Sequence, residues 1–286
     1  MTAVARRRLR GGVIVLPSAF TLGNLFLGIW AIVAAARGRY EMAGWLIVLA
    51  AFADLFDGRV ARFTGTGSQF GEQLDSLVDA ISFGVAPALI VYFAFLGDGG
   101  WNWIMAFIYV SAAIIRLARF NVEQAGIAKT NFHGLPSPTA GVTLSTYYSF
   151  TQTPLFRTYF SEVNVHQGAG WILVVCAGLM VSHVLYPVVP RLTFRTWGGR
   201  LALGLAIASV VAALTVPEYF FFPMAVIYIA YGLLRTVALG FLERLPEQDP
   251  LLDEASDEGE VRELDYSEIR PRPRFRRRRR PRFFKE

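Results

Sequence analysis

Apolar residues along this chain gather into windows of about 20, each long enough to cross a hydrocarbon core of roughly 30 Å as a helix. Short polar or glycine-bearing segments separate the windows. No stretch alternates in the manner of barrel strands, and backbone groups in lipid have no water partner, so the windows read as helices. The pattern predicts an all-α fold: a polytopic membrane helix bundle of about eight transmembrane helices, at about 20–36, 42–63, 70–96, 101–120, 138–156, 169–189, 200–216 and 219–241. The fifth window, which includes "AGVTLSTYYSFTQT", is only moderately apolar.

Composition sharpens this picture. Hydrophobic residues make up 54% of the 286 and charged ones 17%, the charges lying mainly in the N-terminal arm, a few loops and the C-terminal segment. Lys and Arg positions predict orientation. With the N-terminus inside, the inner segments hold Arg6, Arg7, Arg8, Arg10, Arg59, Arg62, Arg116, Arg119, Lys129, Arg191, Arg195, Arg200 and the Arg276–Arg280 run, while the outer loops hold only Arg37, Arg39 and Arg157. Both termini are therefore expected in the cytosol. Residues 1–15 carry basic residues before an apolar run with no small-residue cleavage site, the pattern of a retained cytosolic arm. Residues 16–245 form the expected membrane domain. Residues 246–286 turn acidic, "PEQDPLLDEASDEGEVRELDYSEIR", and then basic, "PRPRFRRRRRPRFFKE". Neither half can bury a core, so a disordered cytosolic tail is expected, solvated or drawn to anionic headgroups, with no nucleic acid as partner. The single cysteine, Cys176, excludes an intrachain disulfide framework.

Against this background "DLFDGRVARFTGTGSQFGEQLDSLVD" stands out, with four aspartates between two highly apolar windows. Asp54, Asp57, Gly58, Ala61 and Gly65 share one helical stripe, and Ser68, Gly71, Asp75 and Asp79 share another on the following segment. A short connection makes the two antiparallel neighbours, and small residues at Gly58, Ala61 and Gly71 let backbones approach. Four carboxylates then surround one small volume, where each ionised pair at about 6 Å repels by roughly 3 kcal/mol at an effective dielectric of ~20. Divalent cations with a taste for hard oxygen, Mg²⁺ or Mn²⁺, would relieve that repulsion. Two of them could clamp the attacking and leaving oxygens of a phosphoryl transfer. A cation- or proton-coupled transporter is the reading from another class, because intramembrane acids mark ion paths. Transporters, however, tend to set such groups near the midplane between repeated halves, and this chain has no visible repeat.

The pattern Asp54-x2-Asp57-Gly58-x2-Ala61-Arg62-x8-Gly71-x3-Asp75-x3-Asp79 resembles, at every fixed position, that of the CDP-alcohol phosphotransferases. The flanking "LPSAFTLGNLFLG", "FGEQLDSLVDAISFGVAPA", "RLARFN" and "FHGLPSPTAG" are most similar to bacterial phosphatidylserine synthases of the integral-membrane kind. Ser18 departs from the pattern, since relatives commonly carry Asn or Asp after the proline.

The resemblance implies transfer of the phosphatidyl group from CDP-diacylglycerol to the hydroxyl of L-serine, giving phosphatidylserine and CMP, in a homodimer of the cytoplasmic membrane. It implies Asp54, Asp57, Asp75 and Asp79 as ligands of two divalent metals, Mg²⁺ or Mn²⁺, with Asp79 also the general base. Gly58, Ala61, Arg62, Ser68, Gly71, Ser18 and Thr21 would contact CDP-diacylglycerol. For the acceptor, Arg116 and Arg119 lie three apart on one helix face, where a guanidinium could clamp the serine carboxylate, with Asn121 near the amino group. The eight-residue pattern leaves the acceptor alcohol open, so a phosphatidylglycerophosphate synthase is the alternative within the same chemistry.

Overall fold

The computed structural model describes residues 3–64, 69–97, 100–124, 132–186 and 197–240; for a few of these, including 3–18 and 60–64, the description covers the backbone alone. Nearly all of them are helical. Helices α1 (Ala3–Ala36) and α2 (Tyr40–Thr64) form a closely packed hairpin. Gly38, at φ 74°, turns the chain out of α1, and its N–H and that of Arg39 bond the Ala35 and Ala34 carbonyls at 2.9 Å each. Glycine adopts that left-handed conformation without a Cβ penalty, which is why the hairpin turns there.

The next helical body runs unbroken from Gln69 to Leu96: α3 (Gln69–Asp79), a π-helical turn (Ala80–Val85), α4 (Ala86–Val91) and a second π turn (Tyr92–Leu96). Pro87 has no N–H, so the Phe83 carbonyl loses its i+4 donor. The hydroxyl of Tyr109, on α5 (Trp103–Gln124), donates to that carbonyl at 2.8 Å instead. The fifth predicted helix divides in two: α6 (Ser137–Thr151) and a short α7 (Pro154–Tyr159). Thr153 separates them because its hydroxyl accepts from the Phe156 N–H at 3.3 Å, an N-cap directly before Pro154.

Helix α8 (Val165–Val181) opens on Asn164, whose side chain accepts from the N–H groups of His166 and Gln167 at 3.1 and 3.3 Å. It ends eight residues before the predicted 189. Ser182 turns the chain by donating to the Leu179 carbonyl at 2.8 Å. Leu185–Tyr186 (β2) then pairs antiparallel with Phe132–His133 (β1), Phe132 opposite Tyr186. Gly134, at φ 78°, and Leu135 hold this strap down, the latter through its N–H on the Leu179 carbonyl at 3.0 Å. Helices α9 (Trp197–Thr215) and α10 (Pro217–Gly240) complete the described chain.

Two apolar clusters bind the helices. Ala31, Ile47, Phe83 and Ile90 join α1 and α2 to the Gln69–Leu96 body. Tyr109, Leu144, Leu173 and Met180 join α5, α6 and α8. Helices α2 and α6 meet backbone to backbone at Gly44, where a Cβ would run into the Ser145 carbonyl oxygen. The outer surface is apolar, with Phe26, Phe107, Trp171 and Leu214 all more than 60% exposed. Such a surface suits lipid and not water. Ala19–Ala36, Phe70–Leu96, Trp103–Val122 and Pro217–Ala238 are long and apolar enough to cross a membrane, while Val165–Val181 and Leu203–Thr215 are apolar but shorter. The chain is an all-α membrane protein with four such helices among the described residues.

Candidate active site

Asp75 and Asp79 stand one turn apart on α3, so they share a face, and α2 brings Asp54 against them. One carboxylate oxygen from each of the three lies within 4.8 Å of the others. At that separation and an effective dielectric of ~20, each ionised pair repels by about 3 kcal/mol. Asp79 is 9% exposed, and Asp75 Oδ1 is buried with no hydrogen-bond partner among the described residues. Three carboxylates this close, one with a buried oxygen that no donor reaches among the described residues, suit a bound cation. The donor set fits a divalent metal that prefers hard oxygen. Asp57, 6% exposed, stands beside this trio, its carboxylate accepting from the Thr21 hydroxyl of α1.

Helix α1 forms a wall of the site through residues that periodicity did not single out. The Asn24 Nδ2 donates to Asp79 Oδ1 at 3.3 Å, and the Ser82 hydroxyl donates to the Asn24 carbonyl at 3.2 Å. The approach is close because residue 28 is glycine: a Cβ there would stand 2.9 Å from Ser82 Cα. The available signal was a fully buried amide within an apolar window, "TLGNLFLG". A polar side chain held inside a membrane span is costly without a task.

On the other side, α5 contributes Arg116, only 8% exposed. Its Nη1 donates to the Ser137 hydroxyl at 2.7 Å, its guanidinium carbon lies 5.8 Å from the Phe120 ring centroid, and it is close enough to Asp79 to interact with its charge. Its Nε is buried without a partner among the described residues. Arg119 is half-buried, and Asn121 accepts from the Ser76 hydroxyl at 3.0 Å, a link between α5 and α3.

This carboxylate trio, with an amide and a guanidinium near it, is the candidate active site, and comparison with known proteins says to which family the chain belongs. The family model for CDP-alcohol phosphatidyltransferase matches residues 14–181, more than half of the chain. This chain belongs to the CDP-alcohol phosphatidyltransferase family. Among its relatives, the CDP-diacylglycerol–serine O-phosphatidyltransferase of Helicobacter pylori is 38% identical over 173 residues, 60% of this chain and 71% of the relative. The archaetidylserine synthase of Methanothermobacter thermautotrophicus is 37% identical over 176 residues, 61% of this chain and 70% of the relative. The CDP-diacylglycerol–serine O-phosphatidyltransferase of Methanocaldococcus jannaschii is 32% identical over 193 residues, 67% of this chain and 83% of the relative.

The trio therefore belongs to a CDP-alcohol phosphatidyltransferase, an enzyme whose matched region covers every aspartate of the site. Of the residues expected to contact the nucleotide lipid, Gly58 has nothing among the described residues within 4 Å of a Cβ built there. Thr21 is buried against Asp57, and Gly71 is half-buried on α3. Ser68 lies outside the described residues, as do the side chains of Ser18, Ala61 and Arg62.

Proposed function

We propose that this transferase moves the phosphatidyl group of CDP-diacylglycerol onto the hydroxyl of L-serine, giving phosphatidylserine and CMP. The observation that carries the reading is the convergence of Asp54, Asp75 and Asp79 within 4.8 Å beside a buried Arg116. The carboxylates suit a diphosphate-cleaving metal site, and the guanidinium suits an acceptor that brings its own carboxylate. The names of the Helicobacter and Methanothermobacter relatives differ in the lipid and share serine as the acceptor, which supports serine here.

In this proposal Asp54, Asp57, Asp75 and Asp79 hold two divalent cations, Mg²⁺ or Mn²⁺. Bound there, the metals would draw charge off the diphosphate and make CMP a better leaving group. Asp79 takes the proton of the serine hydroxyl as its oxygen attacks the phosphorus of the phosphatidyl group; the bond to the CMP phosphate oxygen breaks in one displacement with no covalent enzyme intermediate. Gly58 and Ala61 leave room for the cytidine, and Arg62, Ser68, Gly71, Ser18 and Thr21 surround the CDP group. Arg116 clamps the serine carboxylate, with Arg119 and Asn121 beside it.

The membrane arrangement belongs to the same proposal. Eight helices span the cytoplasmic membrane, both termini and the aspartates face the cytosol, residues 16–245 form the transferase domain of a homodimer, and residues 246–286 form a cytosolic tail. The Lys and Arg asymmetry supports this orientation.

The test is to incubate purified protein in detergent with CDP-diacylglycerol, Mn²⁺ and each labelled alcohol in turn, and to separate the lipids. Phosphatidylserine as the dominant product is expected. A dominant phosphatidylglycerophosphate product would replace serine by glycerol phosphate, and no CMP release with any alcohol would overturn the transferase reading of this site.

A further inference from the structure

We infer that Asn24 is a positioning residue for Asp79: it engages Oδ1 of that carboxylate and leaves Oδ2 as the oxygen presented to the acceptor hydroxyl. The inference rests on the proposed role of Asp79 as the base.

The geometry carries it. Asn24 is 0% exposed in an apolar helix, where a buried amide costs free energy unless its groups are bonded. Its Nδ2 donates to Asp79 Oδ1 at 3.3 Å, while its own Oδ1 has no donor among the described residues. Reversing the amide would set oxygen against carboxylate oxygen, so the NH₂ end is the end that faces Asp79. The backbone of Asn24 is tied down as well. The Ser82 hydroxyl donates to its carbonyl at 3.2 Å, and Gly28 admits Ser82 one turn further along α1. Helix α1 is thereby clamped to the π turn Ala80–Val85, which begins at the residue after Asp79.

That location matters for a base. Asp79 sits where α-helical spacing gives way to π spacing, so the direction of its side chain is not set by α3 alone. The torsion that swings a carboxylate plane is broad in aspartate. A donor on one oxygen narrows it. The clamp on the backbone keeps that donor in register with the residue it serves. The hydrogen bond touches neither Arg116 nor Gly58, so its loss should act on turnover and spare the binding of both substrates.

The experiment uses the full chain in detergent micelles and compares Asn24→Leu, Ser82→Ala and Asp79→Asn with the parent. Each is measured by CDP-diacylglycerol and L-serine titrations, by Mn²⁺ bound in electron paramagnetic resonance, and by thermal unfolding. Asn24→Leu is expected to lower kcat about 10- to 100-fold, the loss of one hydrogen bond to a charged group, with both KM values within about twofold and Mn²⁺ stoichiometry kept. Ser82→Ala removes the backbone tie but keeps the Asn24 amide, so it is expected to lower the unfolding temperature and to lower kcat by a clearly smaller factor than Asn24→Leu. If Asn24→Leu does not fold, Asn24→Ala takes its place in the same comparison. Parent-like kcat in a folded Asn24 variant, or an equal kcat loss in Ser82→Ala, would overturn the inference by reducing Asn24 to a packing residue. Should Asp79→Asn itself retain turnover, the base assignment fails; should it be inactive beside an Asn24→Leu of parent-like kcat, the positioning inference alone fails.

Discussion

Arg116 on α5 is anchored to Ser137 on α6 by a 2.7 Å hydrogen bond from Nη1, while its Nε is buried without a partner among the described residues. Ser137 is 0% exposed and opens α6 directly after the "HGLP" strap. The bond pins one edge of a planar group, and a guanidinium held at one edge offers a fixed pair of donors at another. That is the geometry a carboxylate accepts bidentately and an ammonium cannot imitate.

Arg116→Lys is therefore expected to raise the KM for L-serine about 10- to 100-fold and to leave the KM for CDP-diacylglycerol within about twofold. Ser137→Ala, which frees the anchored edge without removing the charge, should raise the serine KM by less. Serine titrations at saturating CDP-diacylglycerol measure both. An unchanged serine KM in Arg116→Lys, Arg119→Lys and the double variant would remove both arginines from the acceptor site.

Removal of divalent metal by EDTA should abolish CMP release, and added Mn²⁺ should restore it. Asp54→Asn and Asp75→Asn keep the shape of the trio and halve the charge of a pair, so each is expected to lose metal affinity and nearly all turnover. Isothermal titration with Mn²⁺ alone reads the binding. Undiminished CMP release in excess EDTA would contradict the two-metal site.

Asp79→Asn should lower kcat about 10²- to 10⁴-fold, the range of a general-base contribution, with a much smaller effect on CDP-diacylglycerol binding. Parallel titrations of binding and turnover check this. Equal losses in both would make Asp79 a metal ligand and not a base.

Gly44 and Gly58 lie on the same helix and are expected to respond in opposite ways to one added methyl. At Gly44 the new Cβ meets the Ser145 backbone carbonyl, which cannot move aside as a side chain would. Gly44→Ala should cost about 1–3 kcal/mol in stability, read as a lower thermal midpoint in detergent. At Gly58 nothing among the described residues lies within 4 Å of the added Cβ, so Gly58→Ala should keep its thermal midpoint and raise the KM for CDP-diacylglycerol. A shifted midpoint with unchanged KM at Gly58 would place the nucleotide elsewhere.

Much of this molecule could be read along the chain because its cause is local. Windows near 42, 70, 101, 200 and 219 coincide with helices to within a few residues, since an apolar run in lipid must satisfy its own backbone, whereas α1 starts at Ala3, well before the window expected from 20, because its helix continues through the basic arm. The stripes holding Asp54, Asp75 and Asp79 were equally legible, because spacing of three and four is a property of one helix. Other features came from residues far apart in sequence. The end of α8 at Val181, within an apolar window running to 189, depends on a strand partner at Phe132–His133. The Phe83 carbonyl in the π turn after Asp79 finds its side-chain donor in Tyr109, 26 positions away. Arg116 and Arg119 share a helix face, yet Arg116 is the one buried against Ser137, because α6 packs there. Asn24 reads as one polar residue in an apolar window until α1 lies against Asp79, 55 positions away. Periodicity says which side of a helix is special; which neighbour stands opposite is settled by long-range packing, where a single glycine, such as Gly28 or Gly44, sets how close two backbones come.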